Sequence, residues 1–300
     1  MGALWGMPAV AAMTIAALRA CRGCRYDLVV GHWLVPGGLL ARAVGRMTGI
    51  DSAVVGHSGG VHLLEGLSPV VGQKLMEMVL AGPTTVPTAA LREKLGKMGE
   101  AVTVAPMGYE PVAESGKKRQ WGDGLRLGFL GRLVPIKGVP VVMRAVQELR
   151  ASGLNVELEV VGDGPCRESW EAEAGDGVRF AGARFGMEKG ERLANWDALV
   201  VPSRVEAGGR HEGLPVSLLE ASSVGAVPLV SGVPGVERWL ARPKMQVVAE
   251  GDVRAWCEAI EEMSRLSGPQ WMQLREETRV VVAELAWPRY AAWWQEWLLG

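Results

Sequence analysis

Short apolar runs alternate with longer stretches of helical periodicity along most of this 300-residue chain, the pattern of parallel strands joined by crossover helices. In the first part the runs 27–31, 52–56, 83–87 and 101–105 predict strands. A polar, glycine-containing stretch at 114–124 interrupts the alternation and reads as a linker. The pattern then restarts, with strands predicted over 125–130, 156–161, 177–180, 197–201 and 226–231 and a helix over 139–152. These runs are apolar at nearly every position, as expected of strands covered by helices on both faces. Helices are predicted at 252–266 and 269–284. A last helix at 288–299 opens on Pro288 and carries Tyr290, Trp293, Trp294 and Trp297, which implies burial. The expected organisation is a first α/β domain over 1–115, a linker at 116–124, a second doubly wound domain over 125–284 and a C-terminal helix over 285–300.

Composition agrees with a folded chain: 48% apolar and 22% charged residues exclude both disorder and a fibrous repeat. The net charge of −1 hides an asymmetry, because residues 1–120 hold 12 Lys and Arg against 8 Asp and Glu. The excess is densest at Arg19, Arg22, Arg25, Arg42 and Arg46. Two readings stay open for it, a solvated basic face and a surface for an anionic membrane or a phosphorylated acceptor. No nucleic-acid motif accompanies the charge, so nucleic acid is not an expected partner. Residues 1–18 are uncharged but lack a basic leader and contain Pro8, so a buried helix is expected rather than a signal peptide or a membrane span. The 4 cysteines include Cys21 and Cys24 as one C-x-x-C, without the second ligand pair a zinc site needs; reduced thiols in a cytoplasmic chain, at most peripheral to the inner membrane face, are the expectation.

In a doubly wound fold ligands sit beyond the carboxyl ends of the strands, so the loops there carry the candidate chemistry. The loop after 125–130 reads G-R-L-V-P-I-K-G, from Gly131 to Gly138. It sets Arg132 and Lys137 on either side of a turn. Two cations beyond one strand end suit a diphosphate, the Arg as a fork and the Lys as a point charge. After the strand ending near Pro202 comes E-G-L-P-V-S-L-L-E, residues 212–220. Pro215 fits the first turn of a helix, which would leave the amides of Gly213, Leu214 and Val216 free for an anion. Glu220, leaning back toward that end, is placed to accept from the paired hydroxyls of a ribose or a sugar. Each segment alone also reads as an ordinary solvated loop or helix.

Together the segments resemble the donor domain of the retaining GT-B glycosyltransferases of family 4, which shows a G-R-L…K-G loop, a G-x-G loop (here Gly162 within V-V-G-D-G-P) and an E-G-x-x-x-x-L-x-E stretch. The resemblance implies a GT-B fold, two Rossmann-like doubly wound parallel-sheet domains facing a cleft, the first incomplete. It implies a nucleoside-diphosphate-sugar donor of UDP or GDP type, an acceptor that is a glycan, lipid or small molecule, and no metal or other cofactor. Arg132 and Lys137 would bind the diphosphate, Glu220 the ribose, Glu212 the transferred sugar and the backbone from Phe180 to Arg184 the base, with Gly131, Gly162, Gly213, Leu214, Pro215 and Val216 also among the donor-binding positions. Residues 26–38, 53–62 and 104–109 resemble the family's first domain more loosely. There His57 would face the donor, joining Glu212, Arg132 and Lys137 as catalytic. The acid of the family's H-G-x-D is absent, since this chain has His57, Ser58, Gly59, Gly60. Nothing before Tyr26 matches the family's opening strands, so a partner chain supplying them, in a split or partner-dependent enzyme, is the alternative. A GT-B nucleotide-sugar epimerase is the further one, disfavoured because Glu65, Glu77 and Glu93 read as solvated.

Overall fold

The computed structural model describes residues 3–112, 121–207, 209–233 and 247–299. Contacts divide the chain into two units, residues 1–106 and 107–300. The linker expected at 116–124 falls largely on residues 113–120, outside those described.

The first unit is a parallel sheet of β1 (Leu28–His32), β2 (Asp51–Val55), β3 (Thr84–Val86) and β4 (Thr103–Val104), in that order. Each strand lies within a residue or two of its expected run. Around the sheet are α1 (Ala3–Gly23), α2 (Leu39–Thr48), α3 (Ser58–Glu65), α4 (Pro69–Val79) and α5 (Ala89–Lys94). Leu34, Val54, Val61, Leu64, Val79, Val86 and Leu91 form the core.

Two expectations are corrected here. The apolar opening segment does form a helix, α1, which packs against α2, but it is not buried: Met13 and Ile15 stay 46% and 51% exposed. Lack of charge signalled low polarity, and it says nothing about whether a neighbour exists to cover the helix. Arg42 is no part of a basic surface. It is buried, its Nε donating to the Val79 carbonyl at 2.9 Å and its terminal nitrogens to the Ser52 and Pro83 carbonyls and the Ser52 and Thr84 hydroxyls. A guanidinium offers five N–H donors in a planar fork, so one side chain satisfies several carbonyls that would otherwise be stranded.

The second unit holds a six-stranded parallel sheet in the order β10-β9-β8-β5-β6-β7. Its strands are β5 (Leu125–Leu130), β6 (Val156–Val161), β7 (Val178–Gly182), β8 (Ala198–Val201), β9 (Val227–Ser231) and β10 (Val247–Val248). Connecting or following them are α6 (Val139–Ala151), α7 (Arg167–Ala172), α8 (Gly186–Ala194), α9 (Val216–Ser223), α10 (Val253–Ser264), α11 (Gly268–Ala283) and α12 (Trp287–Leu299). Successive strand residues feed opposite faces, as the pleat requires. Ala198 and Val200 of β8 join the core around Val142, Val146 and Trp256, while Leu199 and Val201 join that around Leu218, Leu219 and Trp196. Both faces of β8 are therefore apolar and covered, which is why 198–201 reads as an unbroken apolar run. Close packing leaves no room at Gly128, where a Cβ would fall 1.8 Å from the Trp196 ring.

Helix ends follow local chemistry. Asp252 caps α10 by accepting from the Arg254 and Ala255 amides, and Ser267 with Gln270 makes a capping box on α11. Tyr290 of α12 is buried as expected and Trp293 and Trp294 pack beside it. The helix is tethered where Tyr109 donates its amide to Leu285 and accepts from Trp287. β10, two residues long, has no counterpart among the expected strands.

Candidate functional site

In the second unit the strand order reverses between β5 and β8, and the loops leaving their carboxyl ends part there. Such a switch point leaves a crevice that neither connection fills. Glycines bring its walls together. A Cβ on Gly162 would lie 1.9 Å from the Gly131 carbonyl oxygen, and one on Gly164 2.4 Å from that of Leu133. The loops after β5, β6 and β7 are further joined by Gly131 N–H to Val161 O, Leu133 N–H to Asp163 O and Gly162 N–H to Gly182 O, at 2.9 to 3.0 Å.

Beyond Leu133, wholly buried, the chain makes a tight turn over Pro135–Lys137 and leaves it through Gly138 at φ 64°. That left-handed conformation favours glycine. The turn folds Lys137 back over the start of its own loop, its Nζ 3.6 Å from where a Cβ on Gly131 would stand. There it forms an ion pair with Glu212, and the hydroxyl of Ser203 donates to the other oxygen of the same carboxylate. Both charged side chains are largely enclosed, 16% and 17% exposed. Screening by water is reduced at such burial, so the pair is held more firmly than a surface bridge.

Lys137, Glu212, Gly131 and Gly162 are thus brought to one place. Arg132, on the same loop, is exposed. Pro215 is the N-cap of α9 rather than a member of its first turn, so Gly213 and Leu214 precede the helix and Leu214 is buried in the core. The Leu218 amide bonds back to Pro215 O at 3.0 Å, leaving Val216 and Ser217 to supply the leading amides. Glu220 is 13% exposed and pairs with Lys189 of α8 at 2.8 Å. Phe180 lies in β7 with its ring against the core, and Arg184 pairs with Glu188 at 2.7 Å.

His57 belongs to the first unit, at the N-cap of α3 just beyond β2. Its Nε2 lies 3.2 Å from Nδ1 of His32, at the end of β1, and its ring 5.5 Å from that of Trp33. Burial, and secondarily the neighbouring His32, hold its pKa below the ordinary imidazole value. Lys189, Ser203 and His32 escaped sequence reasoning. Lys189 sits among Glu188, Glu191 and Arg192, a helix that reads as solvated, and Ser203 and His32 had only their position beyond a strand end as a signal.

Residues 124–265, within the second unit, match the family described as glycosyl transferases group 1. Among curated relatives, the colanic acid biosynthesis glycosyltransferase WcaL of Escherichia coli is 26% identical over 259 residues, 81% of this chain and 62% of its own length. The D-inositol 3-phosphate glycosyltransferase of Stackebrandtia nassauensis is 33% identical over 189 residues, 55% of this chain and 41% of its own. The chain therefore spans less than two thirds of either relative. HepE from Anabaena, solved with UDP and glucose, superposes with a TM-score of 0.76 at 14% identity, covering 99% of this chain and 83% of that one. Each unit's fold, a parallel sheet flanked by helices, is the kind found in GT-B glycosyltransferases.

Proposed function

We infer that the chain acts in moving a sugar from a nucleoside diphosphate, of UDP or GDP type, to an acceptor hydroxyl with retention at the anomeric carbon. In that reaction the acceptor oxygen bonds to the anomeric carbon while the carbon–oxygen bond to the diphosphate breaks. The diphosphate leaves with the electron pair, and the acceptor proton passes to it or to solvent. Positive charge grows on the sugar and negative charge on the leaving group, so cations fixed beside the diphosphate lower the barrier.

The observation that carries the reading is the Lys137–Glu212–Ser203 cluster at the switch point. An ammonium has three donors, so Lys137 can grip a phosphate oxygen without releasing Glu212. Each carboxylate oxygen of Glu212 accepts twice, which leaves capacity for a sugar hydroxyl. The leading amides of α9 and the exposed Arg132 add to the anion-receptive lining. Glu220, held by Lys189, retains acceptor capacity for a ribose diol. Calorimetry of the whole chain against UDP- and GDP-sugars tests this. Binding of one class, lost in Lys137→Ala, supports it, and no heat with either class rejects it.

A second reading, a partner-dependent subunit of a split transferase, is favoured by β1, which forms an edge of its sheet and leaves Val30 43% exposed. Light scattering on an active preparation separates the two, because full turnover by a monomer excludes the dependence.

A further inference from the structure

Trp33 departs from what its sequence position predicts. It follows β1 directly, yet its backbone stands at φ 71°, the only non-glycine residue at positive φ among those described. For a bulky side chain that conformation costs about 1–3 kcal/mol and persists only where the surroundings enforce it. Here they do: its amide donates to the Val55 carbonyl at 2.8 Å and its carbonyl accepts from Gly38 at 2.7 Å. The strain directs a large apolar side chain outward, for Trp33 remains 49% exposed.

What surrounds the indole is selective. It lies over the start of α3, where a Cβ on Gly59 would fall 2.5 Å from its Cζ3, so the Ser58-Gly59-Gly60 turn is small where the ring must rest. On one side stands His57, tilted 31° to the indole, and beyond it His32, whose Nδ1 and the His57 Nε2 are 3.2 Å apart. Two imidazole nitrogens at that separation share one proton, so one ring donates to the other. Each ring keeps a second nitrogen, and which of them donates depends on the tautomer. The result is a broad π face beside groups able both to donate and to accept.

A pyranose ring has matching chemistry: patches of axial C–H bonds on its faces and hydroxyls around its rim. Apolar surface with weakly positive hydrogens suits the negative face of an indole, and hydroxyls need a mixed donor and acceptor set. A free phosphate or a purely apolar chain would leave one half of the arrangement unused. We propose that Trp33, with His32 and His57, forms a carbohydrate platform that seats a hexopyranose ring of the acceptor. The site deepens the transferase reading and rests on it for the word acceptor. Sugar binding itself stands on the first unit alone.

The test uses the full chain labelled with 15N at tryptophan, the Trp33 indole signal being identified by its loss in Trp33→Phe or, should that variant not fold, Trp33→Tyr. The methyl pyranosides of glucose, galactose and mannose are titrated separately, with glycerol as a control that carries hydroxyls without a ring face. At least one pyranoside should move the Trp33 signal saturably and glycerol should not. Loss of one hydrogen bond in His57→Gln should weaken that titration about 2- to 10-fold. An unmoved Trp33 signal with all three sugars, or an equal response to glycerol, overturns the platform. UDP- and GDP-sugar calorimetry on the same preparation reports the donor site separately, so a failed platform with intact nucleotide binding leaves the transferase reading in place.

Discussion

The carbonyl oxygen of Pro202 stands 2.0 Å from the point a Cβ on Gly138 would occupy, so the loop after β8 rests directly on the loop after β5. The Arg204 amide donates to Ile136 O at 2.8 Å and fixes the contact. Ser203 lies between those two anchors, which is why its hydroxyl meets Glu212 and why Glu212 in turn meets Lys137. The candidate donor site therefore depends on one residue without a side chain.

Gly138→Ala should lower the thermal midpoint of the second unit by at least about 2 °C, from positive-φ strain of about 1–3 kcal/mol before any steric displacement. Scanning calorimetry checks it. An unchanged midpoint would mean that the two loops separate freely.

Lys137→Ala should cut turnover on the order of a hundredfold or more, because it removes a fixed charge from the leaving group. Ser203→Ala removes one hydrogen bond that orients Glu212 and should cost only about 2- to 10-fold. Steady-state kinetics on both variants, with folding verified by circular dichroism, reads the difference. Equal losses would argue that the cluster is structural.

Lys189→Met leaves the Glu220 carboxylate enclosed without its cation and should cost about 1–3 kcal/mol of stability. Adding Glu220→Gln should recover part of that loss, since the unpaired charge is then gone. A double-mutant cycle in denaturant measures the coupling. Strict additivity would show that the 2.8 Å contact has no energetic weight.

His57 has a pKa below the ordinary value, so it is neutral at pH 7 and the folded chain binds its proton more weakly than the unfolded chain does. Its burial costs nothing above the unfolded value of about 6.5 and takes stability away as pH falls from there toward the lowered folded value. His32→Gln removes a neighbouring imidazole that contributes to the shift, so the His57 titration should move upward in that variant. NMR titration of the His57 ring follows it directly, and a midpoint that stays put would assign the whole shift to burial.

Much of the second unit was legible because its physics is local. β5 and β6 are mostly buried, with only Arg126 and Glu157 exposed, so Leu125–Leu130 and Val156–Val161 read as mainly apolar segments bounded by Gly124, Asn155 and Gly162. Gly162 and Gly164 make close backbone approaches, to Gly131 and Leu133, that no larger residue would allow. What escaped is what distance along the chain conceals. Lys189 reaches Glu220 across 31 positions, from a helix whose charges alone suggest solvent. Arg42 reads as one surface cation among several, and its burial becomes visible only once the carbonyls of Val79 and Pro83 lie beside it. α1 was the converse error, since apolarity is a property of the segment and burial a property of its neighbours.

Arg42 also bears on which exchanges the first unit tolerates. Swapping it for lysine would keep the charge and nearly the reach, and by any similarity table would count as mild. A single ammonium cannot present a planar fork to Ser52, Pro83, Thr84 and Val79 together, so the seam between β2 and β3 would lose several of its ties at once. At this position the geometry of the cation, more than its sign, keeps neighbouring strands sewn.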